Sequence, residues 1–303
     1  MHSSPPAHGE PHARAALRRS LAGVRALVLD ADGVLMMKGA ALPGAPEAIA
    51  SLRARGIPFR IATNFSSAHR STLAGRFRAG GIPVTDDRIV TAASAAAART
   101  RAAYPGRPLY VIATPDGRRE FDGQHLMRYE EADVPDARAA AVVIGDGGAD
   151  LSFENLDRAF RLIRNGADLL AMHRNRWWFT ARGPTIDGGA FVAALEYAAE
   201  VRAILCGKPG PIMFRTALAG LAADLGGRLA AGDVAMVGDD PVQDIAGARR
   251  LGMRGVLVVT GKTSAAEAAA LVDAPTRGAG MRRSGAVPDA VAPSLADVVA
   301  ALD

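Results

Sequence analysis

Residues Val28 to Leu35, VLDADGVL, end an aliphatic run with two carboxylates, Asp30 and Asp32, one residue apart and followed at once by Gly33. Ionised carboxylates beside a hydrophobic core repel each other and resist desolvation, so something must compensate. Three further stretches place polar chemistry after an apolar run: Thr63 with Asn64 in ATN, Lys208 in CGKP, and Asp239, Asp240 and Asp244 in GDDPVQD. Carboxylates gathered with a lysine and a hydroxyl suit a hard divalent cation bound through oxygen, Mg2+ before others, and the cation cancels the repulsion. Open positions on such a cation suit phosphate oxygens, which points to phosphoryl transfer.

Every role then has a candidate. Asp30, at a strand tip, is the nucleophile that would form an aspartyl phosphate. Asp32, beyond the turn that Gly33 permits, is placed to protonate the leaving oxygen and then activate water. Thr63 and Asn64 are placed to donate hydrogen bonds to the phosphate, and Lys208 to neutralise Asp30 and the transferring group. Of 36 basic residues only Lys38, Lys208 and Lys262 are lysines. A compact ammonium fits a crowded phosphate site better than a guanidinium fork does. Each motif alone also fits a solvated turn or, for GDDPVQD, an acidic helix start. Four in order, each closing a buried strand, point to one site.

The elements that must position these residues alternate from Arg25 onward as short β-rich runs and helical stretches, the pattern of a parallel α/β sheet. RALVLD (25–30), PFRIATN (58–64) and RIVTA belong to the early half, and AILCGKP (203–209), VAMVGDD (234–240) and RGVLVVTG (254–261) to the late half. In open parallel sheets ligands bind at the carboxyl ends of the strands. Between the halves, PLYVIAT, AAVVIGD and DLLAMH with two helical stretches supply enough apolar sequence for a second core. The expected organisation is a disordered arm over 1–20, a core over 21–96 and 203–303, and an inserted α/β domain over 97–202. The polar, glycine-rich stretch from Ala274 to Asp289 reads as a loop.

Composition narrows the function classes. With 49% hydrophobic and 22% charged residues and no apolar run of membrane-spanning length, a soluble globular protein is expected and a membrane partner is not. The net charge of +5 comes from scattered arginines with no aromatic-interleaved basic stripe, so no nucleic-acid partner is expected. Cys206, the single cysteine, excludes an intrachain disulfide and reads as a small buried hydrophobe. The first twenty residues lack the apolar segment of a secretory signal, so a cytoplasmic location is expected.

The motif set resembles that of the haloacid dehalogenase superfamily of phosphatases, with DADGV, ATN, GKP and GDDPVQD as its four motifs over about residues 22–303. The insertion is similar to the α/β cap of subclass IIA, and LAGVRALVLD, GGAFVAALEYA and VGDDPVQDIAGARRLGM look most like the phospholysine, phosphohistidine and inorganic pyrophosphate phosphatase group. The chain departs from vertebrate members of that group at Asp32, where they carry serine. The resemblance implies a Rossmann-like, doubly wound parallel core with an inserted cap, and a phosphorylated small molecule as substrate. It also implies Asp30 as nucleophile, Asp32 as acid/base, and Mg2+ held by Asp30, the Asp32 backbone carbonyl and Asp239, with Asp244 and Asp240 in support. A homodimer is compatible with it. Alternatives are a phosphoamidase or pyrophosphatase on the same scaffold, a receiver-like signalling protein, and a catalytically silent phosphate-binding protein.

Within the insertion, MHRNRWWFTARGP (172–184) holds both tryptophans, Trp177 and Trp178, interleaved with His173, Arg174, Arg176 and Arg182. Either the tryptophans pack the core of the insertion, or the loop contacts the substrate beyond its phosphate through Arg174, Arg176 and Trp178.

Overall fold

The computed structural model describes residues 10–180, 182–273 and 286–302, and divides into two compact units. One comprises Met1–Ala62, Gly75–Arg88 and Ala217–Asp303, the other Thr63–Ala74 and Ile89–Thr216. The insertion read at 97–202 lies inside the second unit.

The parallel strands of the first unit run in the order Ala290–Ala292, Arg254–Val258, Val234–Gly238, Ala26–Leu29 and Phe59–Thr63, of which only the last residue, Thr63, is assigned to the second unit. Ala26–Leu29 is central, and its four side chains are wholly buried. A strand covered on both faces needs a continuous apolar run, which ALVL supplies. Burying Leu27, Val28 and Leu29 contributes roughly 1.5–3 kcal/mol each. Its register sets Leu29 against Val237 and Ile61, so the neighbouring strands end together.

Two expectations are corrected here. The arm expected to be disordered is helical over Glu10–Leu21, because Leu17 and Leu21, four residues apart on one helical face, are both buried. Its end is tied down by Arg254 Nη1, which donates to the carbonyls of Ser20 and Ala22 at 2.7 Å each. Residues 1–9 of that arm lie outside the described residues, as do residues 274–285 of the late polar loop. The strand read at AILCGKP as part of the core is short, Ile204–Leu205, and pairs in parallel with Asp168–Ala171 of the second unit. An apolar run specifies a strand, but the pairing partner depends on which backbone edge meets it.

The second unit holds a four-stranded parallel sheet in the order Ile204–Leu205, Asp168–Ala171, Ala141–Ile144, Leu109–Ile112. Helices Phe153–Arg164 and Gly188–Ala199 contribute Ala159, Leu162, Val192 and Leu195 to the apolar cluster that includes Tyr110, Val142 and Leu169. Trp177–Thr180 and Gly183–Ile186 form a separate antiparallel hairpin with Trp178 opposite Thr185. No helix among the described residues is long and apolar enough to cross a membrane.

Candidate active site

Asp30 follows the strand Ala26–Leu29 and Asp239 follows Val234–Gly238, so the parallel register sets the two carboxylates at neighbouring strand ends. Asp30 N extends the ladder by donating to Val237 O at 2.9 Å. Asp244 arrives from a widened helical turn over Pro241–Ala246, in which Ile245 N reaches Asp240 O five residues back. Asp30, Asp239 and Asp244 are all buried, and one carboxylate oxygen of each lies within 4.8 Å of the others. Asp244 thus belongs to the buried acidic group itself.

Backbone donors hold these carboxylates. Ala31 N donates to Asp30 Oδ1 at 2.7 Å, Lys262 N to Asp239 Oδ2 at 2.7 Å, and Asp240 N to Asp244 Oδ2 at 3.0 Å. The chain must come close to make these bonds, which accounts for the glycines around them. Gly33 has φ 77°, in the left-handed region, and a Cβ there would overlap the Asp239 carboxylate. Gly261 is equally confined by Asp239, and Gly238 by Asp244. Three buried carboxylates sharing so small a volume repel one another, and the set fits a bound cation.

Asp32 is exposed and stands outside the buried group. Its backbone bridges to Met36, and Gly33 N donates to Met36 O at 2.8 Å, closing the turn after Asp30. Asp240 caps the following turn, with Oδ1 accepting from Val242 N at 2.9 Å and Gln243 N at 3.0 Å, and its Oδ2 lies 3.1 Å from Lys262 Nζ. Burial alone would raise its pKa, but the Gln243 N–H and the Lys262 charge hold it below the ordinary carboxylate value. For Lys262 burial acts to lower the pKa, and Asp240 outweighs it, so the ammonium is raised. Lys262 was not singled out from the sequence. The available signal was VVTGKT, another strand ending in polar chemistry and carrying one of the chain's few lysines.

Thr63, Asn64 and Lys208 belong to the second unit. Thr63 is buried at the end of its strand, and its Oγ1 accepts from Phe65 N at 3.3 Å. Lys208 is buried, and its backbone exchanges hydrogen bonds with the Asn64 side chain.

In the 172–184 stretch, Trp177 and Trp178 are about half exposed, 52% and 48%, and so do not pack the core of the second unit. Arg174 grips Glu196: Nη1 donates to Oε2 at 3.0 Å and Nη2 to Oε1. Arg176 is exposed. His173 is buried with Nε2 3.0 Å from Ser66 Oγ, and burial pushes its pKa down against the opposing charges of Asp187 and Asp146. Cys206 is fully buried, as expected.

The sequence matches a family model for haloacid dehalogenase-like hydrolases over residues 27–126 and a HAD-hydrolase-like model over 205–298. It is 33% identical over 260 residues to the haloacid dehalogenase-like hydrolase domain-containing protein 2 of Bos taurus, covering 86% of this chain and 92% of that one. It is also 33% identical over 250 residues to the human phospholysine phosphohistidine inorganic pyrophosphate phosphatase, covering 80% and 86%. Among solved structures, the p-nitrophenyl phosphatase from Archaeoglobus fulgidus superposes with a TM-score of 0.77 at 27% identity, covering 92% of this chain and 99% of that one. NagD from E. coli K-12 does so with a TM-score of 0.74 at 25% identity, covering 90% and 97%. Motifs, fold and relatives agree: the chain belongs to the haloacid dehalogenase-like hydrolase family.

Proposed function

We propose that this protein is a Mg2+-dependent phosphatase that hydrolyses a small phosphorylated metabolite through a phosphoaspartyl intermediate. The observation that carries this reading is the buried group of Asp30, Asp239 and Asp244, with oxygens within 4.8 Å of one another, beside an exposed Asp32. Mg2+ would be held by Asp30, Asp239 and the Asp32 backbone carbonyl, with Asp244 beside them. When bound it supplies positive charge that screens these carboxylates and the phosphate oxygens.

Asp30, anchored at its strand tip through Asp30 N, is the carboxylate to attack phosphorus. The P–O bond to the leaving alcohol breaks as the Asp30 O–P bond forms, and Asp32 gives its proton to the departing oxygen. Solvent access lets Asp32 then take a proton from the water that cleaves the acyl phosphate, releasing inorganic phosphate and regenerating Asp30. Thr63 would bind the transferring group, and Lys208 would neutralise it. The 97–202 insertion would act as a cap, with Arg176 and Trp178 on or beside its hairpin contacting the rest of the substrate. The phosphatase names of the relatives support the reaction class, and the intact Asp32 favours phosphoesters, whose poor leaving groups need an acid.

The test is hydrolysis of p-nitrophenyl phosphate with and without Mg2+, in the native protein and in Asp30→Asn. Turnover that needs the metal and is lost with the amide is expected. Full turnover in excess EDTA, or in Asp30→Asn, would refute the reading.

A further inference from the structure

Lys208 sits in the sequence Gly207–Lys208–Pro209–Gly210, and its surroundings account for nearly every backbone group there. Cys206 N donates to Ala171 O and Gly207 N to Met172 O, both at 2.8 Å, so the chain arrives tied to the edge of the strand Asp168–Ala171. Gly210 N closes back on Gly207 O at 2.8 Å, and Pro209 has no N–H to place. The N–H and C=O of Lys208 itself are both met by one side chain. Lys208 N donates to Asn64 Oδ1 at 2.7 Å, and Asn64 Nδ2 donates to Lys208 O at 3.0 Å.

This is the two-bond exchange of a hydrogen-bonded strand pair, made by a carboxamide in place of a second backbone. Asn and Gln carry an acceptor and a donor side by side on one carboxamide, the pairing a peptide group presents; an ionised aspartate offers acceptors alone. The approach is close enough that a Cβ on Gly207 would lie 2.5 Å from Asn64 Oδ1 and collide with Met172 O. Glycine at 207 and asparagine at 64 are therefore demanded by the same contact.

We propose that Asn64 is a positioning residue for Lys208. By fixing the peptide planes on both sides of the Lys208 Cα, its carboxamide sets the direction in which the ammonium leaves the backbone. This indirect role is distinct from the hydrogen-bond donation to phosphate expected of Asn64 from its place after Thr63. The inference rests on the phosphatase reading of Lys208, but the bracket can be tested without it.

The experiment is a double-mutant cycle of Asn64→Ala with Lys208→Met, reading kcat and KM for p-nitrophenyl phosphate and the calorimetric affinity for inorganic phosphate with Mg2+ present. Asn64→Ala should weaken phosphate binding and kcat/KM by about 10–100-fold, the scale on which outer partners act on a reacting group. In the Lys208→Met background that loss should largely disappear. An equal loss in both backgrounds would mean that Asn64 meets the phosphate itself, and would overturn the proposal. Asn64→Asp, which keeps shape and acceptor but loses the donor, takes its place in the cycle if Asn64→Ala does not fold. Independently of any activity, protein labelled with 13C-lysine gives ε-methylene signals from Lys38, Lys208 and Lys262, the Lys208 signal being the one absent in Lys208→Met. Asn64→Ala should move that signal and leave the other two in place. An unmoved Lys208 signal refutes the bracket whatever the enzyme hydrolyses, whereas a moved signal in a protein that hydrolyses no phosphoester refutes only the phosphatase reading.

Discussion

Replacing Gly261 by alanine puts one methyl group against the proposed metal ligand Asp239. The added carbon would lie 2.7 Å from Asp239 Cγ and 2.8 Å from Gly33 Cα, and would overlap Asp239 Oδ2 outright. Carbon atoms rest about 3.5–4.0 Å apart, so something must move by roughly 1 Å. If the carboxylate turns away, it gives up the 2.7 Å bond from Lys262 N. If the backbone yields, the bond from Thr260 Oγ1 to Gly33 O opens and the turn carrying Asp32 shifts. Overpacking of this kind costs about 1–3 kcal/mol of stability. A displaced ligand lowers metal affinity by about 10–100-fold. Calorimetric Mg2+ titration and the Tm of the metal-free protein, measured on one preparation, should both fall. Gly232→Ala is the control, because the nearest atom to its Cβ is 3.8 Å away. A folded Gly261→Ala protein that binds Mg2+ like the native one would refute the assignment of Asp239 as a ligand and the steric reasoning with it.

Other expectations follow from single contacts. Asp32→Asn should retain a burst of p-nitrophenolate while steady turnover collapses, since that leaving group departs without an acid but the acyl phosphate still needs a base; absence of both burst and turnover in a folded variant would count against the role. Arg174→Ala should lower the Tm at neutral pH. Burial would raise the Glu196 pKa, but its bonds to Arg174 and Ala203 N hold it below the ordinary value, so this stability is present above the glutamate range and is lost as pH falls through the depressed value. The Tm gap between native and Arg174→Ala protein should therefore close in acid. Burial pushes the Cys206 thiol up to about 12, so a disulfide reagent at pH 8 should react only after unfolding, which absorbance of the released thiolate reports.

The character of each strand was legible in the sequence because it depends on local pattern. ALVL and VAMVG are continuous apolar runs and FRIAT is interrupted only by Arg60 before its closing Thr63, and a run buried on both faces can be little other than an inner strand of a parallel sheet. The acidic residues of the site were legible for the same reason, since Asp30 and Asp239 directly follow such runs. Pairing was not legible. Nothing local in AILCGKP says that its partner edge is Ala171 and Met172, and nothing in the polar start of the chain says that Leu17 and Leu21 find apolar cover.

The finer assignments belong to tertiary structure because they depend on distances between residues remote in sequence. Asp244 reads from the sequence as a supporting residue of the site, and only the widened turn over Pro241–Ala246 shows that its carboxylate joins those of Asp30 and Asp239 in one buried group. Nothing local around Arg174 says that Glu196, 22 residues on, pairs with its guanidinium. Nothing local around Asn64 says that its carboxamide brackets the backbone of Lys208, 144 residues away. Sequence determined which residue types stand at the strand ends, because hydrophobic burial is written in local periodicity. Only the folded chain decided which of them meet, because hydrogen bonds and ion pairs act over a few ångströms and are blind to separation along the chain.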